Sequence, residues 1–395
     1  MLQLDYESEI EHHIRRFETI LPLDDGSKNA DEETIVGNLP DGGLKFGHYA
    51  NAHHHKDGLF SEIYKAQAQR DVHHGDTSSN NSMLLALKVT HPGSMIPPHD
   101  SKRECRLLTR AKHCRVIELI ESFTQSGGQL ILVFPFIAHD LEGVLRAGPL
   151  SEENGKTCLR DMMSGLDYLH RIGIIHRDIK PSNILLKSLS GPAVIADFGI
   201  AWTAEDPSAE PANLKILDVG TTSYRPPELL FGKQWYDTSL DLWAAGCVAS
   251  QMVCLGSRTL FDSGDLGSEL ALIKSIFETM GTPDLNAWPE ASSFPDWGKM
   301  TFVHYEAQSW SEIMPRASKE ARNLVSSMVR YESKERLTAA MVRVKSETGS
   351  ARVNLTNVGT PASLSGAERV KIDLTRCLKQ LQPVTQRRSD SSYHR

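Results

Sequence analysis

Apolar positions along this chain follow two rhythms. From about residue 46 to 137 they form short runs, such as LLALKV and LILVF (residues 130–134), separated by polar or glycine-bearing stretches, the pattern of buried strands. Beyond residue 138 they recur at three and four. Leu159, Met163 and Leu166, followed by Tyr168 or Leu169, mark one helix, and helices are also predicted near 239–254, 266–280 and 318–331. Two short strands, Ile184 to Leu186 and Val194 to Ala196, interrupt the helical part. At the N-terminus Ile10, Ile14 and Phe17 give a helical start before a Gly, Asp and Pro-rich run breaks any regular element. Residues 67–82, QAQRDVHHGDTSSNNS, read as a solvated loop between two strands, and the polar stretch after Arg343 reads as a tail with at most one docked helix. The expected organisation is an extension at 1–45, a domain at 46–343 with parts 46–137 and 138–343, and a tail at 344–395.

Composition narrows the class. A chain of 395 residues is too long for one small core. Its net charge of −7, with Lys and Arg scattered, gives no basic patch for nucleic acid. The six cysteines form no C-x-x-C pair and mostly sit in apolar runs, so they read as core residues in a reducing compartment. The acidic start has no apolar core of a signal peptide, and no apolar stretch approaches the ~20 residues of a membrane span. Cytosol or nucleus, no membrane and a monomeric state are the expectations.

Residues 53–66, HHHKDGLFSEIYKA, have the outline of a nucleotide-phosphate loop with a single glycine; alone, they would pass for an ordinary hairpin. The stronger signal lies downstream: HRDIKPSN at His176 to Asn183, then DFG at Asp197 to Gly199. Together these motifs resemble the eukaryotic protein kinases. The resemblance implies an α+β bilobal fold, with a small antiparallel sheet plus one helix in one lobe and a larger, mainly helical second lobe. It also implies ATP and Mg²⁺ as cofactors. Moving a γ-phosphoryl group requires metal ions to spread charge, a cation on the phosphates and a carboxylate beside the accepting hydroxyl. By resemblance Asp178 orients that hydroxyl, Lys180 neutralises the γ-phosphate, Asn183 and Asp197 hold the metal, and Thr221 completes the catalytic set. Lys180 within DIKPSN further implies Ser or Thr rather than Tyr as acceptor.

Further positions follow from the same resemblance. Lys88 in ALKV would reach the α and β phosphates, with Glu104 as its partner on the next helix. LVFPFIAHDL resembles the hinge, with Phe134 as gatekeeper, the Phe136 and Ile137 backbone facing adenine, and Asp140 meeting ribose. Leu185 would floor the base, Gly58, Phe60, Ser61 and Ile63 would cover the nucleotide, and Ala86 would line the pocket. Aligned on Ile63, the family's three glycines fall at Lys56, Gly58 and Ser61, and a positive φ at Ser61 would strain it by about 1–2 kcal/mol. Glu228 should pair with Arg336, Asp241 should anchor the catalytic loop, and Arg177 is the arginine that in this family holds an activation-segment phosphothreonine.

Tyr224, Arg225, WYDTSLDLW and GTPDLNAWPEASSFPDW resemble the cyclin-dependent and MAP kinase group, in which an arginine at the position of Arg225 favours proline after the acceptor. Two departures stand out. PPHDSKRECRLL lacks the sequence by which cyclin-dependent kinases bind cyclin, so cyclin dependence is not expected. Lys215, Ile216 and Leu217 occupy the place of the phosphorylated threonine, so activity without that phosphate is expected, with Asp218 or Glu210 lending the charge. With the lost glycines, these traits resemble the single-subunit fungal CDK-activating kinases, whose substrates are cyclin-dependent kinases. A proline-directed kinase with other protein substrates and a pseudokinase scaffold are the alternatives; the latter commonly lacks a catalytic residue, whereas Lys88, Asp178, Asn183 and Asp197 are all present. His53, His54, His55, His73 and His74 read as solvated side chains rather than zinc ligands.

Overall fold

The computed structural model describes residues 39, 41–68, 83–147, 150–254, 256–342, 344–347 and 350–353. The expected helical start at Ile10 to Phe17, most of the 67–82 loop with His73 and His74, and the expected tail helix lie outside the described residues. The chain divides into two units, one ending at Ala138 and the other beginning at His139.

The first unit is an antiparallel sheet in the order β1-β2-β3-β4-β6-β5. Its strands are β1 (Leu44–Phe46), β2 (Tyr49–Asp57), β3 (Ser61–Gln67), β4 (Leu84–Thr90), β5 (Glu121–Gln125) and β6 (Gln129–Pro135). Alternation decides what each face carries. Leu85, Leu87 and Val89 of β4 are buried in a core with Phe46, Tyr64, Ile131 and Val133. The opposite face carries the intervening residues: Ile63 pairs with Lys88 and Lys88 with Leu132, while Lys65 pairs with Ala86 and Ala86 with Phe134. Ile63, Ala86, Lys88 and Phe134 therefore share one face. Helix α1 (Ser101–Arg110) starts where the Asp100 side chain accepts from the Arg103 N–H at 2.9 Å, and it buries Glu104, Leu107 and Leu108 at helical spacing.

The second unit holds a small antiparallel sheet of β7 (His139–Asp140), β8 (Ile184–Leu186) and β9 (Ala193–Ile195). Helices α2 (Leu141–Ala147), α3 (Glu152–Arg171), α4 (Pro227–Leu230), α5 (Ser239–Cys254), α6 (Glu269–Met280), α7 (Trp310–Ile313) and α8 (Lys319–Met328) surround it in sequence, before a hairpin of β10 (Val344–Glu347) and β11 (Ser350–Val353). On α3 the residues Leu159, Met163, Leu166 and Leu169 are buried and Tyr168 is only half-buried, so Leu169 is the core position at that turn. Three boundaries move from their expected places. β9 lies one residue earlier, α6 waits for its Ser268 cap, which accepts from the Ala271 N–H at 3.3 Å, and α8 stops at Met328. The GTPDLNAWPEASSFPDW stretch packs as aromatic core, with Trp288 fully buried against Phe231 at 5.7 Å and Tyr331 at 5.3 Å.

The cysteine reading needs correction. Cys158 and Cys247 are buried, and burial pushes the Cys158 thiol up to about 12, but Cys105 is partly exposed and Cys114 exposed. The polar run KHCR after α1 offers Cys114 no core to enter. No helix among the described residues is long and apolar enough to cross a membrane.

Glu228 and Arg336 form a bidentate pair, 2.6 Å at each arm, with both side chains fully buried. Removing one partner strands the other charge. Arg336→Met should therefore cost about 3–5 kcal/mol in urea unfolding, and the Glu228→Leu/Arg336→Met double variant distinctly less.

Candidate active site

The catalytic loop is built around Asp241 on α5. This fully buried carboxylate accepts from the His176 N–H and the Arg177 N–H, each at 2.9 Å, and meets the His170 ring at 2.9 Å. Burial alone would raise its pKa, but the hydrogen bond from the His170 ring, the favourable electrostatics of His170 and His176 and the His176 N–H bond outweigh that and hold it below the usual carboxylate range. Its grip holds Arg177 at φ +68°, a left-handed conformation that costs a non-glycine residue roughly 1–3 kcal/mol.

The next residue, Asp178, is consequently presented with both oxygens engaged. Oδ1 accepts from the Thr221 N–H at 3.0 Å and its hydroxyl at 2.9 Å. Oδ2 meets Lys180 Nζ at 2.9 Å and Asn183 Nδ2 at 3.1 Å, and Lys180 also donates to the Thr221 hydroxyl at 2.8 Å. Four of the expected catalytic residues, Asp178, Lys180, Asn183 and Thr221, thus form one network. Asp197 follows β9, whose exit is tied to Asn183 by the Ala196 N–H bonding the Asn183 carbonyl at 2.9 Å. Asp197 is exposed at φ +64°, while Phe198 is fully buried edge-on to His176 at 4.9 Å. Asp140 at the start of α2 accepts from the Gly143 N–H at 2.7 Å. Leu185 pairs with Asp140 and Val194 and is half-buried between two buried neighbours, so it faces away from the core they join.

Between Asp197 and Arg225 the chain neutralises Arg177 from within. The Arg177 side chain is fully buried; its Nε donates to the Ile200 carbonyl at 2.6 Å, and its Nη1 meets the Tyr236 hydroxyl at 3.0 Å and the Glu210 carboxylate. Among the described residues Nη2 has no hydrogen-bond partner, so Glu210 engages one arm of the guanidinium. Of the two carboxylates anticipated here, Glu210 meets Arg177 and Asp218 does not: Asp218 pairs with Arg225 at 2.6 Å, and Glu269 meets the other arm of Arg225 at 2.6 Å. Arg225 Nε also captures the Gly220 carbonyl at 2.9 Å. Tyr224, Arg225, Gly220 and Thr221 line a depression beside Asp178.

In the first unit Lys88 donates to both oxygens of Glu104, at 2.7 and 2.8 Å, with the carboxylate almost completely buried. The β2–β3 hairpin turns through Gly58, whose N–H bonds the Ser61 carbonyl at 2.7 Å. Among the described residues only Asn51, Arg177 and Asp197 are non-glycines at positive φ, so the strain anticipated at Ser61 does not arise. A Cβ at Gly58 would lie 2.7 Å from Ser61 Oγ, a contact that rotation of the serine hydroxyl relieves. Lys56 sits inside β2, beside a bulge that leaves His55 unpaired in the ladder. The His55 ring meets Phe136 edge-on at 5.1 Å, with Lys65 Nζ 4.6 Å above the same Phe136 ring. The Phe136 N–H bonds the Leu84 carbonyl at 3.0 Å, which continues the β4–β6 pairing one residue past Pro135. Phe60 packs on His99 at 4.7 Å. His54 bonds Asp57 at 2.8 Å, and among the described residues no group of three or more His, Cys, Asp or Glu could hold a metal unaided.

A family model described as a protein kinase domain matches residues 72–346. The chain belongs to the protein kinase family. This kinase is 34% identical over 285 residues to the serine/threonine-protein kinase csk1 of Schizosaccharomyces pombe, covering 71% of this chain and 88% of that one. It is 36% identical over 285 residues to cyclin-dependent kinase D-1 of Arabidopsis thaliana, covering 71% and 66%. It is 33% identical over 246 residues to cyclin-dependent kinase 20 of Pongo abelii, covering 62% and 68%. It is a CDK-like serine/threonine protein kinase, and its family generally uses ATP and Mg²⁺ on protein substrates. The family match begins after the hairpin with its single glycine.

Two features escaped the sequence. Gly220 has φ +74°, and a Cβ there would lie 2.6 Å from the Arg177 carbonyl, backbone that cannot step aside. The other is Lys215, a buried lysine where a phosphothreonine was sought. Gly220→Ala should lower kcat on a peptide by about tenfold or more while costing at least ~1–2 kcal/mol in unfolding, since both the left-handed φ and the clash act on the residue before Thr221.

Proposed function

We propose that this kinase transfers the γ-phosphoryl of Mg-ATP to the activation-loop threonine of cyclin-dependent kinases, without a cyclin and without a phosphate on its own activation segment. The observation that carries the proposal is the charge arrangement of the second unit: a shared Asp178, Lys180, Asn183 and Thr221 network, with Arg177 already paired to Glu210. Asp178 would take or orient the hydroxyl proton and Lys180 would meet the transferred phosphoryl. Asn183 and Asp197 are the hard oxygen donors for Mg²⁺, with phosphate oxygens and water needed to complete the shell. Lys88, fixed by Glu104, would hold the α and β phosphates, with Ile63, Ala86 and Phe134 on the same sheet face for the base. The bound nucleotide and metal would supply the phosphoryl group and the charge neutralisation its transfer needs. Resemblance to CDK-like relatives, together with the missing cyclin-binding sequence, supports the substrate and the single-subunit state.

One observation favours a second reading. Arg225 occupies the Gly220 carbonyl, so that oxygen is withheld from an incoming substrate amide. Proline after the acceptor has no N–H to satisfy, which suits a proline-directed kinase with other substrates.

Purified protein with Mg-ATP, a monomeric cyclin-dependent kinase and a serine-proline peptide decides between them. Labelling of the cyclin-dependent kinase on its activation-loop threonine is expected; labelling of the peptide alone would replace the first reading with the second. Asp178→Ala should lose on the order of 10²-fold or more in kcat with the fold intact, and an Asp178→Ala protein as fast as the parent would sink both.

A further inference from the structure

A segment that forgoes phosphorylation has lost more than a counter-charge for arginine. A phosphate also ties the segment to the body of its domain, and some other group must do this. Within residues 202–217 one side chain stands out. Lys215 is buried, its Nζ donates to the Ala212 carbonyl at 2.5 Å and the Tyr236 carbonyl at 2.7 Å, and its own N–H donates to the Gln234 carbonyl at 3.1 Å. The ammonium lies 4.6 Å from the Trp202 ring and 5.1 Å from the Tyr236 ring. Tyr236 passes the contact on: its hydroxyl donates to the Ile216 carbonyl at 2.8 Å and accepts from Arg177 Nη1 at 3.0 Å. Trp202 closes the circuit, its Nε1 donating to the Glu210 carbonyl at 3.0 Å.

We infer that Lys215 is a positioning residue: it clips residues 212–217 onto residues 234–236 and so holds Glu210, Arg177 and, through the loop backbone, Asp178 in their working arrangement. The inference rests on the reading of Asp178 as the catalytic carboxylate. A buried ammonium is tolerated only when its donors and charge are met, and here two carbonyls and two ring faces meet them. Burial nonetheless draws the Lys215 pKa below the ordinary lysine value, with Arg177 and Lys233 adding to the fall and Asp237 and Glu210 opposing it. Ile216 and Leu217 follow the anchored lysine onto the cluster formed by Ile200, Val219, Leu229, Tyr236 and Leu240. The lysine thus supplies the attachment and Glu210 the negative charge, two tasks that a single phosphate performs together.

The test compares parent, Lys215→Met, Lys215→Arg, Tyr236→Phe and Asp178→Ala full-length proteins by peptide kinetics and by hydrogen exchange over residues 205–220. Lys215→Met keeps the apolar stem and removes the donors. It should lower kcat by about tenfold or more, leave KM for ATP within about twofold, and release the amides of 210–217 while those of α3 and α5 stay protected. Lys215→Arg should recover part of kcat. Tyr236→Phe keeps the ring and its carbonyl, so it should fall between the parent and Lys215→Met. A Lys215→Met protein with kcat within about twofold of the parent, or one that loses protection across α3 and α5 as well, overturns the inference. Should the parent be no faster than Asp178→Ala, the catalytic reading fails instead, and exchange at 210–217 still reports on the clip.

Discussion

A guanidinium buried in the HRD loop, next to Asp178, must be given a partner, and much of the second unit follows from how Arg177 is given one. Its side chain is fully enclosed, its backbone is bent into a left-handed conformation, and its N–H is held by Asp241. An isolated buried charge would be costly enough to deform the loop. Glu210, Tyr236 and the Ile200 carbonyl each take a donor from it. The segment that contributes Glu210 is in turn tied down through Lys215, Trp202 and Tyr236. Charge balance at one residue therefore reaches outward to the order of the whole stretch between Phe198 and Arg225, and inward to the carboxylate of Asp178.

The same economy is visible in the first unit, where the hairpin keeps one glycine. Glycine serves two purposes in such a turn, positive φ and room. Neither Gly58 nor Ser61 uses the first, and at Gly58 the second amounts to a 2.7 Å approach to the rotatable Ser61 hydroxyl. The polar β2–β3 hairpin is held by ladder bonds along β3 and β4, so the shape survives with a composition that looks unsuited to it. The bulge at His55 adds a contact to Phe136 that no glycine pattern would announce.

Much of this was legible in the chain. LLALKV read as a strand carrying Lys88, which the structure sets on the face opposite buried Leu85, Leu87 and Val89, and the three-four spacing of α3 picked out its core. HRDIKPSN is one contiguous run, so Asp178, Lys180 and Asn183 could be named together before their network was seen, whereas Thr221 reaches Asp178 from 43 residues away. The choice of Glu210 over Asp218 could not be made, because it depends on which carboxylate the folded segment brings back to Arg177, 33 residues earlier in the chain. Lys215 was invisible for the opposite reason. A lysine in a polar stretch normally points to solvent, and only the enclosure by Trp202 and Tyr236 reverses that. The Phe136 N–H bond to Leu84 was not legible, because it depends on where β6 ends, the kind of boundary that local pattern places least well.

We propose that Arg177, neutralised from within, needs no phosphate for activity. The most direct test is kcat on a peptide substrate before and after complete phosphatase treatment, with intact mass confirming that the treated protein carries no phosphate. The account predicts a kcat unchanged within about twofold for the unmodified protein; a fall of about tenfold or more, restored on rephosphorylation, would contradict it.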